Sequence, residues 1–260
     1  MISGFATTEG TKKFADNSQI NKENFTEFES IHMSNVGIGT YLGEPDARTD
    51  ELVSNAVKQS IQSGINVIDT AINYRAQKAE RSVGKAISEL IQEGKIIRDQ
   101  LFISSKNGYV TNDADVALGF WEYVKEEYSQ KGVIKEGDVT SGYHCMTTSY
   151  LSDQLDRSLK NLGLECIDLM YLHNGVEGQI KDVSKEKFLD NLKLVFGMYE
   201  QKRKEGKIRF YGMATWECFR VAKDNPQYLS LEETVNIAKD VGGENHRRKI
   251  TEILLFVIAQ

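Results

Sequence analysis

The sequence predicts a parallel α/β fold, and three features carry that prediction. Short apolar runs alternate with stretches whose apolar residues recur at helical spacing. After the first few dozen residues no two runs sit close enough to pair directly as a hairpin, which leaves a parallel sheet or barrel. At 260 residues the chain is long for one ordinary domain but normal for an α/β barrel.

The run Gly64-Ile65-Asn66-Val67-Ile68-Asp69-Thr70-Ala71-Ile72-Asn73-Tyr74 organises the rest. Its apolar residues read as a buried strand, so Asp69 and Tyr74 fall at or just past the strand's C-terminal end. In parallel α/β folds chemistry sits at that end. Lys106 closes Leu101-Phe102-Ile103-Ser104-Ser105-Lys106, and His173 closes Ile167-Asp168-Leu169-Met170-Tyr171-Leu172-His173.

Taken in order, residues 1–33 form a loose polar leader with a hairpin. Val36 to Gly43 is a short strand running into a turn. Thr49 is expected to cap a helix bearing Leu52, Val53, Ala56, Val57 and Ile61, which Gly64 ends. A second helix covers roughly 78–93. Residues 107–147 interrupt the rhythm with Trp121, Tyr123, Tyr128, Tyr143 and His144, and a short helix near 119–129; connections this long are usually functional or disordered. The pattern resumes with a helix ending at Gly163, the strand to His173, and a long helix ending at Gly206. The strand Ile208–Ala214, a helix near 230–240 and an apolar strand from Ile250 to Ala259 complete the chain. Without the leader and insertion about 187 residues remain, or about six units at roughly 30 residues each; a closed barrel needs eight strands. The domain from 34 to 260 is thus expected to be a partial barrel with an insertion. An apolar final strand with nothing after it would expose an edge, so a truncated form or self-association through that edge is expected.

Composition excludes several classes. Apolar content of 40% and charged content of 27% are those of a globular protein. A net charge of -6 and a pI near 5.4 leave no basic footprint for nucleic acid. No apolar run approaches the roughly 20 residues of a membrane helix, and the N-terminus has no signal-peptide core. Cys145, Cys166 and Cys218 form no C-x-x-C pair and read as reduced thiols, which points to the cytoplasm. His32, His144, His173 and His246 have no metal-ligand spacing, so no metal is expected. Gly37, Gly39 and Gly43 do not match the Gly-x-Gly-x-x-Gly dinucleotide loop.

Taken singly, Asp69 reads as a cap, Tyr74 as packing and His173 as a satisfied core histidine; a lysine at the end of a buried strand is harder to dismiss. Together they suit carbonyl reduction. A phenol of pKa about 10 is a poor acid or base near neutrality, and a neighbouring cation lowers that value. Lys106 would be the cation, Asp69 would hold its ammonium, and His173 would orient the substrate oxygen. A lowering of two units corresponds to roughly 2.7 kcal/mol.

Gly39-Thr40, Asp69-Thr70-Ala71-x-x-Tyr74, Lys106 and Asp168-Leu169-Met170-Tyr171-Leu172-His173 occur in the order and spacing of the aldo-keto reductases, which this sequence resembles from about residue 34 onward. The resemblance implies a (β/α)8 barrel of TIM type, here with about six units, whose floor the N-terminal hairpin plugs. It implies NADPH or NADH as cofactor and an aldehyde or ketone as substrate. Tyr74 would be the general acid–base, Lys106 and Asp69 its tuners, and His173 the orienting group. Gly39 and Thr40 would line the cofactor site, with Ala214 and Thr215 where the family usually has a Ser-Asn pair for the nicotinamide amide. Tyr41 and Trp121 would shape the substrate pocket. The alternative is a catalytically silent or regulatory barrel, or a short form that binds cofactor poorly.

Overall fold

The computed structural model describes residues 1–243; the expected closing strand from Ile250 to Ala259 lies outside them. The described elements are α1 (Thr8–Asn17), β1 (Phe25–Phe28), β2 (Ile31–Ser34), β3 (Ile38–Gly39), α2 (Ala47–Gln62), β4 (Val67–Asp69), α3 (Lys78–Gln92), β5 (Phe102–Asn107), α4 (Phe120–Val124), α5 (Thr148–Leu162), β6 (Ile167–His173), α6 (Gly175–Gln179), α7 (Lys185–Lys204), β7 (Ile208–Ala214) and α8 (Leu231–Gly242). Strands β1 and β2 form an antiparallel hairpin, and the other five hydrogen-bond in the order β3-β4-β5-β6-β7. This is the parallel α/β class that the alternation predicts, with Ile38 in register with Ile68 and Ile68 with Ile103. Both β5 and β6 are buried at every position, as strands covered on two faces must be.

The chain divides into two compact units, the first comprising Met1–Ser105, Thr111–Ala117 and Asp156–Met170. Within it the leader is more ordered than its polar composition suggests. Helix α1 forms because Thr7 caps it, its hydroxyl accepting from the Gly10 amide at 2.9 Å. Gly10 also lets the helix approach the 98–100 turn, where an added Cβ would lie 2.4 Å from the Asp99 carbonyl oxygen. The hairpin is the expected one, turning at Glu29 and Ser30 with φ of 47° and 62°. Buried Asn66 ties it to the sheet: its amide donates to the His32 and Gln100 carbonyls and its oxygen accepts from the Ser34 amide. Helix α2 starts earlier than expected. Asp46, not Thr49, is the N-cap, because its carboxylate reaches the Thr49 amide at 2.7 Å. The first strand shrinks to two residues, Ile38 and Gly39.

A buried carboxylate knits this unit. Asp168 accepts from the Ala6 amide at 2.8 Å, the Ile103 amide at 3.0 Å and Arg98 Nη2 at 2.6 Å. Arg98 itself is buried and also donates to the carbonyls of Leu101 and Cys166. Glu80 of α3 is likewise buried, accepting from Ser105 at 2.6 Å and Asn161 at 2.9 Å, and burial raises its pKa despite these donors.

Among the described residues, the second unit comprises Lys106–Val110, Leu118–Leu155 and the chain from Tyr171 onward. Helix α4 continues into a π-helical turn, Lys125–Ser129. Buried Tyr199 of α7 bonds to the Asn107 amide oxygen, while the Asn107 nitrogen donates to the Leu151 carbonyl at 3.0 Å. Tyr211 of β7 packs against Phe196 and Tyr199, with ring centroids 5.2 and 5.5 Å away. No helix among the described residues is long and apolar enough to cross a membrane.

Truncating Asp168 to Ala would leave the Arg98 guanidinium buried without its counter-ion. Breaking such a pair from one side costs about 3–5 kcal/mol. Urea unfolding of Asp168→Ala should show a loss of that size, and a loss under about 1 kcal/mol would remove Asp168 as the knot of this unit.

Candidate active site

Asp69, the last residue of β4, stands in register with Ser104 of β5 and accepts from its hydroxyl at 2.7 Å. The next residue is tied as well, since the Thr70 amide donates to the Ser104 carbonyl. The Thr40 hydroxyl donates to the Thr70 hydroxyl at 2.8 Å, so this expected cofactor residue already braces the β3 and β4 ends. Gly39 beside it is exposed, and a Cβ there would meet nothing within 4 Å. Tyr74 is 3% exposed and clusters with Ala71 and Ala79. Tyr41 lies edge-on to its ring at 5.0 Å, so the structure unites these two predicted residues.

The backbone after Tyr74 is unusual. Arg75, Ala76 and Gln77 have φ of 49°, 48° and 76°, three successive non-glycine residues in the left-handed region. Each costs about 1–2 kcal/mol there, because its Cβ crowds the following carbonyl oxygen.

In the second unit, Lys106 is 2% exposed near the end of β5 and His173 is 8% exposed at the end of β6. Burial, then the Lys106 charge, then His144 hold the His173 pKa well below its usual value. The imidazole is therefore neutral near pH 7, the form that carries one donor and one acceptor nitrogen.

His144, which the sequence marked only as one more ring in the insertion, supports His173 directly. Its Nε2 lies 2.8 Å from the His173 carbonyl oxygen, and its Nδ1 lies 3.0 Å from the Gln179 amide nitrogen. That nitrogen can only donate, so Nδ1 accepts and Nε2 bears the proton given to the carbonyl. Two glycines make room: a Cβ at Gly108 would lie 2.4 Å from His144 Nε2, and one at Gly178 would lie 2.6 Å from its ring. Tyr109 sits edge-on to both imidazoles, at 5.3 Å from His144 and 5.1 Å from His173. Gln179 and the two glycines are far from His144 in sequence, and no local signal links them.

Trp121 of α4 is half exposed and stacks on Tyr143 at 5.5 Å, with Phe120 edge-on to both. Beyond β7, Ala214 offers no polar side chain, and its carbonyl accepts from the Asn174 amide. The Thr215 hydroxyl donates to Glu177, whose same oxygen also takes the Trp216 and Glu217 amides at 2.9 Å. Among the described residues no cluster of three or more His, Cys, Asp or Glu side chains could hold a metal ion.

The model of the aldo/keto reductase family matches residues 35–238, well over half of the chain. This chain belongs to the aldo/keto reductase family. It is 30% identical over 187 residues to the uncharacterized oxidoreductase YtbE of Bacillus subtilis (strain 168), covering 72% of this chain and 48% of that protein. It is 26% identical over 209 residues to the 9,11-endoperoxide prostaglandin H2 reductase of Trypanosoma cruzi, covering 78% and 54%. The chain thus spans about half the length of the curated aldo/keto reductases it matches. Among solved structures, the glycerol dehydrogenase of Gluconobacter oxydans shares the fold with a TM-score of 0.51 at 18% identity, over 85% of this chain and 53% of that one.

Burial lowers the His144 pKa to about 4. Unfolded, the group titrates near 6.5. Its folded pKa is depressed, so the unfolded chain binds more protons between these values and stability falls as pH drops through that window. Relative to pH 8, unfolding free energy at pH 5 should drop by on the order of 1–2 kcal/mol through this group alone. Urea titrations at both pH values should show His144→Gln losing that part of the slope; an unchanged slope would mean His144 does not carry it.

Proposed function

We propose that this chain carries the reactive half of an NAD(P)H-dependent carbonyl reductase. Tyr74 is the proton donor, Lys106 and Asp69 set its acidity, and His173 holds the carbonyl oxygen. One observation carries the reading. Asp69 ends β4, Lys106 is the penultimate residue of β5 and His173 ends β6, on consecutively hydrogen-bonded strands. The C-terminal ends of parallel strands are where α/β enzymes build their sites. Relatives support the cofactor class: one is named an NADH-specific methylglyoxal reductase of Escherichia coli, another an NADPH-dependent codeinone reductase of Papaver somniferum.

The residues fit a nicotinamide dinucleotide at its reacting end, where Gly39 leaves open space at the β3 terminus. Bound there, the dinucleotide supplies the hydride. The protein supplies the proton and the geometry. Neutral His173 donates a hydrogen bond to the carbonyl oxygen and fixes its direction without adding a charge. The Tyr74 phenol gives that oxygen its proton. The Lys106 ammonium favours the phenolate left behind, and Asp69 offsets the cost of burying the ammonium. Tyr41, edge-on to the phenol, lines the approach of an aldehyde or ketone.

A second reading, a silent barrel that binds the dinucleotide weakly, draws on one observation. The Thr215 hydroxyl proton is already given to Glu177, and Ala214 has no polar side chain. Neither side chain has a donor to spare for the carboxamide, and only the Thr215 oxygen is left to accept from it.

Assayed as NADPH consumption with an aldehyde, Tyr74→Phe should lower kcat by about 10²–10⁴-fold, the usual worth of a general acid. Its NADPH affinity, followed by fluorescence quenching, should stay within a few-fold of the parent. Full activity in Tyr74→Phe would overturn the assignment, and no quenching by the parent chain at micromolar NADPH would favour the silent barrel.

A further inference from the structure

We propose that Arg75 is a positioning residue for Tyr74: its buried guanidinium, tied to Asp50 and Ser82, holds the left-handed turn Arg75–Ala76–Gln77 that sets the direction of the phenol. The proposal rests on the reading of Tyr74 as proton donor, but its test does not depend on activity alone.

Among the described residues this is the only run of three consecutive non-glycine positions at positive φ. Such a backbone persists only where its surroundings over-determine it, and it gathers at functional sites. Each of the three residues has an anchor outside the turn. Arg75 Nη1 pairs with Asp50 of α2 at 2.7 Å and Nη2 donates to Ser82 of α3 at 3.0 Å, with the Arg75 side chain only 1% exposed. The Ala76 carbonyl accepts from the Ala114 amide at 3.2 Å. Gln77 donates to the Asn112 carbonyl at 3.1 Å and accepts from Asn161 at 3.2 Å.

Arg75 differs from the other two anchors because it joins the turn to two helices at once. Lys78 pairs with the other oxygen of Asp50 at 2.9 Å and with Asp115 at 2.7 Å, so the carboxylate that grips Arg75 is itself held in place. The turn lies directly between Tyr74 and α3, and Ala79 of that helix belongs to the cluster against the Tyr74 ring. The Ala79 amide also points back to the Tyr74 carbonyl, at 3.4 Å. If the turn relaxes toward negative φ, Tyr74 and the wall it packs on move relative to one another.

A plain bridge between α2 and α3 is the rival account, and glycine separates the two. Glycine adopts positive φ at no steric cost. If Arg75 works by holding strained backbone, Ala76→Gly should relieve the loss caused by removing Arg75. If Arg75 only joins two helices, glycine restores nothing.

The full chain labelled with 3-fluorotyrosine gives a fluorine resonance for Tyr74, assigned by its disappearance in Tyr74→Phe. In Arg75→Met that resonance should shift or split, and in Arg75→Met/Ala76→Gly it should return toward the parent position. In parallel, NADPH oxidation with 4-nitrobenzaldehyde should show kcat at least 30-fold lower in Arg75→Met, with NADPH affinity within threefold of the parent. The double variant should recover at least tenfold of that loss. Should Arg75→Met fold poorly, Asp50→Asn weakens the same pair and should move the resonance in the same direction. An unmoved Tyr74 resonance in whichever of these variants folds, or a change that glycine leaves untouched, would overturn the proposal. A parent chain without reductase activity would sink the proton-donor reading instead, while the resonance still decides the positioning.

Discussion

A carboxylate sealed from water, that of Asp168, sets the terms for the unit that carries Tyr74. It draws the Ala6 amide, the Ile103 amide and the Arg98 guanidinium to one point. Ion pairs in such places add little net stability against an apolar alternative, because desolvating both charges consumes most of the attraction. What they supply is geometry, since a buried charge tolerates few arrangements of its donors. Here the arrangement fixes the N-terminal segment and the first part of β5 against the first part of β6, within this unit.

At and beyond the ends of its parallel strands the chain accepts unfavourable local states and braces each one. His173 gives up its protonated form to burial and to the Lys106 charge, and its carbonyl is held by His144. Three residues after Tyr74 give up the right-handed backbone and are tied outward by Arg75, Ala76 and Gln77. Asp69 is met by Ser104. Strain and desolvation of this kind are expected where a site must be formed before its ligand arrives.

Much of this was legible in the sequence, for physical reasons. Buried parallel strands need continuous apolar runs, so Ile167–His173 and Ile208–Ala214 were read with the bounds the structure gives them. The helix spacing of Val83, Ala86, Ile87 and Leu90 likewise marked α3. Elements stabilised by tertiary partners were not legible. Helix α1 packs through Gly10 against the 98–100 turn, and β3 keeps only two paired residues. The cap of α2 was misplaced at Thr49 because both Asp46 and Thr49 suit a cap, and only the fold decides which carboxylate or hydroxyl meets a free amide. In the site, the residue types and their strand-end positions could be read, whereas the supports could not. Arg75 with Asp50, and His144 with Gln179, are pairs 25 and 35 residues apart with no periodicity to join them.

The turn after β7 shows how such preorganisation bears on ligand affinity. One Glu177 oxygen takes the Thr215 hydroxyl and two backbone amides, so these three donors are already engaged within the turn. A hydrogen bond formed within the protein has to be broken before a ligand can use the same donor, and the exchange is then nearly neutral. The Thr215 proton is therefore no ready donor to a ligand, while its hydroxyl oxygen keeps the capacity to accept. On the reading proposed above, a dinucleotide would draw its affinity from other contacts, among them the open strand end at Gly39 and the remainder of the cofactor. The chemistry and the tightness of binding are, on that reading, separable properties, the first resting on Tyr74, Lys106 and His173, the second on contacts made away from these side chains.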